Sequence, residues 1–219
     1  MSWTPSLVIF DCDGVLVDSE PIGNRYIAEA ISELGLPMSQ KEALSRFLGG
    51  KLSRLRLNLE AEMGIELGDE WVDAIYEKQF KAFREELEII PGIVEVLDAL
   101  EAAGVTYCIG SNGPLKKMEV SLGVTNLYDR VDGRIYSADM VADPKPAPDL
   151  YLHCAEQFDL APERCAVIED SPTGVRAGVA AGMRVFGYGA DSGEDALAEA
   201  GAHVTFSDMT RLPGLLSLG

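Results

Sequence analysis

The stretch Ser6-Leu7-Val8-Ile9-Phe10, followed at once by Asp11-Cys12-Asp13-Gly14, is the strongest constraint on how this chain can fold. The apolar run reads as a strand buried on both faces, which needs cover above and below. It stops abruptly in two carboxylates, and an unpaired charge beside a buried strand is costly. Side chains alternate along extended backbone, so Asp11 and Asp13 share one side and Cys12 faces the other. Gly14 lets the chain turn sharply just beyond. Two carboxylates at the end of a strand form a hard-oxygen site suited to Mg2+. They also offer a nucleophile beside an acid/base. The structural alternative is an Asp-rich turn, since Asp and Gly are ordinary turn residues.

Residues 19–88 have helical rhythm and almost no strand signal. Ile22, Tyr26, Ile27, Ala30, Ile31 and Leu34 make one apolar stripe, ended by Gly35. Ser39 with Glu42 three residues on reads as a capping box for a second helix. Leu52, Leu55, Leu59 and Met63 form a third stripe closed by Gly64. Trp71, Ile75, Phe80 and Phe83 mark a fourth helix after Asp69. Short turns join them, as in a compact helical bundle.

From Pro91 the pattern becomes helix and strand in alternation. Helices are expected over residues 93–103, 116–122, 149–158, 173–181 and 194–200. Strands are expected over 105–109, 165–168, 183–186 and 203–205. Such alternation implies a parallel sheet with helices on both faces, and right-handed crossovers make it doubly wound. Ligands in these sheets bind beyond the carboxyl ends of the strands. Asp11, Ser111 and the Glu169-Asp170 pair all fall at such ends. The fold class is therefore α/β, with 1–18 and 89–219 as the core and 19–88 as a helical insertion.

Eighteen Lys and Arg against 36 Asp and Glu leave a formal charge of −18. That balance argues against nucleic acid, which requires a basic patch. An anionic substrate would need local positive charge, from a metal and a few lysines. Cys12, Cys108, Cys154 and Cys165 lack Cys-x-x-Cys spacing and are expected as buried thiols. With only His153 and His203, a zinc site is poorly supplied. No charged-then-apolar leader precedes Ser6, and no apolar run is long enough to span a membrane, so the expected location is cytoplasmic.

Three later stretches add to the first. They are Ile109-Gly110-Ser111-Asn112, Asp143-Pro144-Lys145-Pro146 and Val167-Ile168-Glu169-Asp170-Ser171. A hydroxyl with a nearby backbone N–H can hold phosphate oxygens, though Asn112-Gly113-Pro114 is also a turn. Prolines on both sides stiffen the backbone around Lys145. Ser171 and Thr173 can orient the carboxylates or cap a helix near Pro172. In this order the four pieces resemble the haloacid dehalogenase superfamily of phosphatases and phosphomutases, over nearly the whole chain.

The resemblance implies an α/β core with a helical cap at 19–88. It implies that Asp11 is a nucleophile forming an aspartyl-phosphate and that Asp13 is a general acid/base whose backbone carbonyl also binds metal. Ser111, Asn112 and Lys145 would hold the phosphoryl group. Asp11, Asp13, Glu169 and Asp170 would bind Mg2+, with Asp170 the more direct ligand and Glu169 direct or through water. One divalent cation and Lys145 then balance the three ionised carboxylates. Superfamily dehalogenases lack the second aspartate, so the intact Asp11-Cys12-Asp13-Gly14 favours phosphoryl transfer. The cap loop Phe47-Leu48-Gly49-Gly50-Lys51 would dip into the site, making Lys51, Asn24, Arg25 and Arg54 candidate contacts to the leaving group. For Arg25 and Arg54 an exposed helix charge is an equal alternative.

The stretches around Ser111 to Met118 and Arg46 to Leu52 resemble the branch of β-phosphoglucomutase-like and phosphoglycolate phosphatase-like members, 6-phosphogluconate phosphatase types included. True β-phosphoglucomutases carry a histidine shortly after the first motif, where this chain has Gly23. Hydrolysis of a small phosphorylated metabolite, by a monomer, is therefore expected ahead of mutase activity. A catalytically silent phosphometabolite-binding protein is the reading from another class.

Overall fold

The computed structural model describes residues 3–47 and 50–218. After β1 (Leu7–Phe10) come four helices: α1 (Glu20–Glu33), α2 (Gln40–Phe47), α3 (Leu52–Met63) and α4 (Asp69–Glu86). Then follow α5 (Ile93–Ala102), β2 (Thr106–Ser111), α6 (Leu115–Val124), α7 (Tyr128–Val131) and β3 (Ile135–Ser137). The remainder runs α8 (Asp149–Glu156), β4 (Cys165–Glu169), α9 (Pro172–Ala180), β5 (Arg184–Tyr188), α10 (Glu194–Glu199), β6 (Val204–Phe206) and α11 (Leu212–Leu215).

All six strands pair in parallel, in the order β3-β2-β1-β4-β5-β6. The apolar run at the start of the chain is thus the central strand, between β2 and β4. Strand order reverses at β1, and that reversal opens a crevice beyond the carboxyl ends. Alternate side chains of the strands feed two cores. Val8, Phe10, Ile109, Ile168 and Phe186 pack with α5, α6 and α11 on one face. Leu7, Ile9, Cys108, Val167 and Val185 pack with α8, α9 and α10 on the other. Every residue of β1 is fully buried, and each such large side chain contributes about 1.5–3 kcal/mol of burial.

The expected doubly wound sheet is present, with one strand more and with strand ends shifted by one or two residues. Strand β3 was absent from the sequence reading. It is three residues long and holds its place by pairing with β2, through Gly110 with Tyr136 and Ser111 with Ser137. The same pairing extends β2 to Ser111, two residues beyond the expected end. Helix ends differ from expectation by one or two residues.

In the helical segment the Ser39 and Glu42 capping box forms reciprocally: Ser39 N–H donates to Glu42 Oε2 at 2.8 Å, and Glu42 N–H to Ser39 Oγ at 3.3 Å. Gly64 ends α3 with φ of 67°. The apolar stripes meet in a separate cluster of Ala30, Ile31, Leu52, Leu55, Leu59, Val72 and Ile75. A smaller cluster joins Ile22, Ala82 and Phe83 to Val120 and Val124 of α6, so the segment is packed onto the sheet's flank. The two chain crossings are themselves bonded, Asp18 N–H to Glu88 O at 2.9 Å and Ile90 N–H to Leu16 O at 3.0 Å. Of the loop from Phe47 to Lys51, Leu48 and Gly49 lie outside the described residues. All four cysteines are buried and unpaired. Among the described residues no helix is long and apolar enough to cross a membrane.

Candidate active site

A cavity of about 270 Å3 opens where β1, β2 and β4 end, between the sheet and the helical segment. The β1 ladder continues one residue further, with Asp11 N–H donating to Ile168 O at 2.9 Å. That bond fixes the Asp11 backbone and directs its side chain into the cavity. Lys145 Nζ donates to Asp11 Oδ1 at 2.7 Å and to Glu169 Oε1 at 2.6 Å. Burial pushes Asp11 up to about 7, against the pull of Lys145, with Glu169 and Asp13 adding to the rise. Burial also works to lower Lys145, but Asp11 and Glu169 outweigh it, and the lysine stays charged.

Lys145 is held by its backbone. Its N–H donates to Asn112 Oδ1 at 3.0 Å, and its carbonyl accepts from Asn112 Nδ2 at 3.3 Å. The Asn112 side chain thus clamps the lysine loop to the end of β2. The Ser111 hydroxyl lines the cavity, with its Oγ accepting from Gly113 N–H at 3.1 Å. That bond leaves the hydroxyl proton available to an incoming oxygen.

Asp13 lies in the same cavity with different partners. Lys117 Nζ approaches its Oδ1 to 2.8 Å, and the buried Ser19 hydroxyl donates to the same oxygen. Burial would raise Asp13, but Lys117 and Ser19 outweigh it and hold the carboxyl below its ordinary range. From sequence, Lys117 figures only within the Ser111 to Met118 stretch, and it, Ser19 and the α8 residue Tyr151 have no assigned role in the site. A usable signal for the first was a lysine pair, Lys116-Lys117, in the first turn of the helix after Ser111. Lys116 points outward and pairs with Glu119.

The acidic cluster suits a cation. Asp11, Glu169 and Asp170 each offer a carboxylate oxygen, all within 4.8 Å of one another. The donors are all hard oxygen, the set Mg2+ takes. Glu169 is already committed: Oε1 accepts from Lys145 and from Tyr151 OH at 2.7 Å, Oε2 from Ser171 N at 3.1 Å and Oγ at 3.0 Å. Asp170 accepts no side-chain hydrogen bond among the described residues, and burial with Glu169 and Asp11 nearby pushes its pKa far up. Asp170 is therefore the carboxylate of the three without a side-chain partner among the described residues, while Asp11 and Glu169 share Lys145 and Glu169 is held from behind by Tyr151 and Ser171.

Two glycines make room for these carboxylates. Gly14 has φ of 74°, and a Cβ there would sit 2.1 Å from Asp170 Oδ2. A Cβ on Gly174 would sit 1.7 Å from Glu169 Oε1. Gly174→Ala would gain helix propensity, up to about 1 kcal/mol. It must also drive Glu169 off Lys145 and Tyr151, and overpacking of this kind costs about 1–3 kcal/mol. Net destabilisation of about 1–2 kcal/mol in urea unfolding is expected; a more stable variant would show that Glu169 yields freely.

The four cap candidates separate. Asn24 is buried in the cavity wall. Arg54 lines the cavity and has no ionic partner among the described residues. Lys51 also lines it, but its Nζ donates to Asp139 Oδ1 at 2.5 Å, across to the turn after β3. Arg25 is outside the cavity, a correction to the sequence reading. One residue beyond Asn24 on α1, it is rotated to the surface and pairs with Glu86 at the end of α4.

The family model described as haloacid dehalogenase-like hydrolase matches residues 5–182. The 6-phosphogluconate phosphatase of Escherichia coli (strain K12) is 33% identical over 209 residues, covering 95% of this chain and 93% of that one. A solved haloacid dehalogenase-like protein from Agrobacterium tumefaciens str. C58 superposes with a TM-score of 0.79 at 37% identity, covering 97% of each chain. A HAD family hydrolase from Deinococcus radiodurans R1, solved with bound phosphate and sodium, gives 0.77 at 33% identity over 99% of this chain and 97% of its own. Similarity of this extent, carried by the sheet as well as by the sequence, makes the chain a member of the haloacid dehalogenase-like hydrolase family.

Proposed function

We propose that the protein is a Mg2+-dependent phosphatase of small phosphomonoesters, sugar or sugar-acid phosphates, acting through an aspartyl-phosphate on Asp11. The observation that carries this reading is the division of the two aspartates between two lysines. Asp11 is paired with Lys145 and Asp13 with Lys117, in one cavity. Two carboxylates with separate partners can take separate roles. Residues 19–88 act as a cap that closes the cavity over substrate and excludes water. The similarity to a 6-phosphogluconate phosphatase supports a sugar-acid or sugar leaving group.

Asp11 attacks phosphorus, so an oxygen–phosphorus bond forms as the ester bond breaks. Lys145 and the Ser111 hydroxyl hold the phosphoryl oxygens through the displacement. An arriving phosphate dianion adds negative charge beside Asp13 and opposes its pairing with Lys117, which favours proton uptake there. Asp13 then gives that proton to the leaving oxygen. In the second step it takes a proton from the water that cleaves the aspartyl-phosphate. Asp11, Asp170 and the Asp13 carbonyl would hold Mg2+, with Glu169 acting through water and positioning Lys145. When bound, the cation neutralises carboxylate charge and polarises a phosphoryl oxygen. Arg54 is left to meet the leaving group, and Lys51 with Asp139 ties cap to core.

The test is phosphate release from 4-nitrophenyl phosphate and from 6-phosphogluconate. Activity should vanish in excess chelator and return with Mg2+, while Ca2+ should support it poorly because its coordination is larger and looser. Undiminished turnover in chelator removes the metal from the reading. No phosphate from either ester removes the phosphatase.

A further inference from the structure

The cap side of the cavity wall contains two buried amides whose oxygens have no partner among the described residues. Asn24 is 1% exposed and Gln79 3% exposed. Both line the cavity, and neither Asn24 Oδ1 nor Gln79 Oε1 accepts a hydrogen bond among the described residues. Their nitrogens are committed. Asn24 Nδ2 donates to Glu20 O at 2.8 Å and to Glu20 Oε2 at 2.7 Å. Gln79 Nε2 donates to Gly23 O at 3.2 Å. Because Glu20 O and Gly23 O are backbone carbonyls, which only accept, each amide is oriented with its oxygen as the unpaired atom. Glu20, also in the wall, adds further acceptor oxygen. A buried acceptor left unpaired is unfavourable, so this wall is built for a donor supplied from the cavity.

We propose that Asn24 and Gln79 form a hydroxyl-reading subsite, and that the leaving group is a polyol presenting two or more O–H donors to it. This rests on the phosphatase reading and goes beyond it by naming which chemistry the cap selects. Acceptor oxygens offer an anion no donor to pair with, so the part of the substrate that lies here is neutral and hydroxylated. A carboxylate, where the substrate has one, belongs nearer Arg54. An alkyl or aryl leaving group leaves both oxygens unpaired, and sites that pair a substrate hydroxyl discriminate strongly against analogues lacking it.

The test compares hexitol 6-phosphate with n-hexyl phosphate, equal in chain length and differing in hydroxyls. Binding is measured by calorimetry with Mg2+ on Asp11→Asn, which cannot complete turnover, so the result does not depend on catalysis. Hexitol 6-phosphate is expected to bind at least about tenfold tighter. Adding Gln79→Leu, or separately Asn24→Ala, should shrink that ratio at least about fivefold, whereas a merely structural role weakens both ligands alike and leaves the ratio intact. Equal affinity for the two esters, binding of neither, or a ratio that both substitutions leave unmoved overturns the subsite. The ratio on Asp11→Asn alone decides the matter if a wall variant fails to fold. Phosphate release by the wild-type protein, followed separately, reports on the phosphatase reading.

Discussion

Asp11→Asn should lower turnover by at least about a hundredfold while the protein folds normally. The amide is nearly isosteric, and its oxygen can still accept from Lys145 Nζ, which lies 2.7 Å from Asp11 Oδ1. What is lost is the anionic oxygen that would attack phosphorus. Acid-quenched reactions with radiolabelled ester should trap phosphorylated wild-type protein and no phosphorylated variant. Residual turnover above about one hundredth of wild type would take Asp11 out of the nucleophile's role. The stability effect has a definite sign. Burial raises Asp11 from 3.8 to about 7 in the folded protein. A carboxyl raised on folding destabilises the fold above its folded pKa, and the penalty fades as pH falls towards its unfolded value. In chelator, the variant should therefore be at least as stable as wild type at pH 8, with the advantage gone near pH 4. A variant less stable at pH 8 would contradict the charge assignment.

Lys145→Met should damage both stability and rate. The ammonium is bonded to Asp11 and Glu169, and its side chain is 3% exposed. Its removal leaves Asp11, Glu169 and Asp170 with no protein cation among them, and breaking a buried ion cluster costs about 3–5 kcal/mol. The carboxylates can relieve that cost by taking up protons, since Asp11 and Asp170 are already raised by burial. The penalty should therefore be largest at pH 8 and shrink as pH falls through about 7 towards 4. Mg2+ should restore part of the stability, because it supplies charge to the same oxygens. It should not restore the rate, which is expected to fall at least about a hundredfold, because the Ser111 hydroxyl is left without the ammonium that shares the phosphoryl oxygens with it beside Asp11. Urea unfolding at pH 5 and pH 8, with and without Mg2+, separates these effects. Unchanged stability at pH 8 in chelator would mean that the carboxylates do not depend on Lys145.

Strand β1, the two aspartates behind it, the helix–strand alternation and the Ser39 capping box were all legible in the sequence. Each rests on spacing within a few residues, and local backbone geometry follows local spacing. Three of the four motifs could be located at strand ends for the same reason, so a cavity formed where they meet followed from topology, whereas the turn that carries Lys145 could not be placed that way. The sequence could not choose between neighbours or assign partners. Lys116 and Lys117 are adjacent and alike, yet one faces solvent and the other meets Asp13, because α6 turns about 100° per residue against a sheet whose position other strands decide. Asn24 and Arg25 divide in the same way, one into the cavity wall and one onto Glu86. Strand β3 exists because β2 offers it a parallel partner, a contact that three residues of sequence do not announce. The clamp of Asn112 on Lys145 spans 33 residues, and the bond from Lys145 to Asp11 spans 134. The sequence by itself determined which chemical groups this protein has and at which strand ends they stand. Only the tertiary structure decided which lysine neutralises which aspartate, because charge pairing is a matter of distance in space and the partners are far apart along the chain.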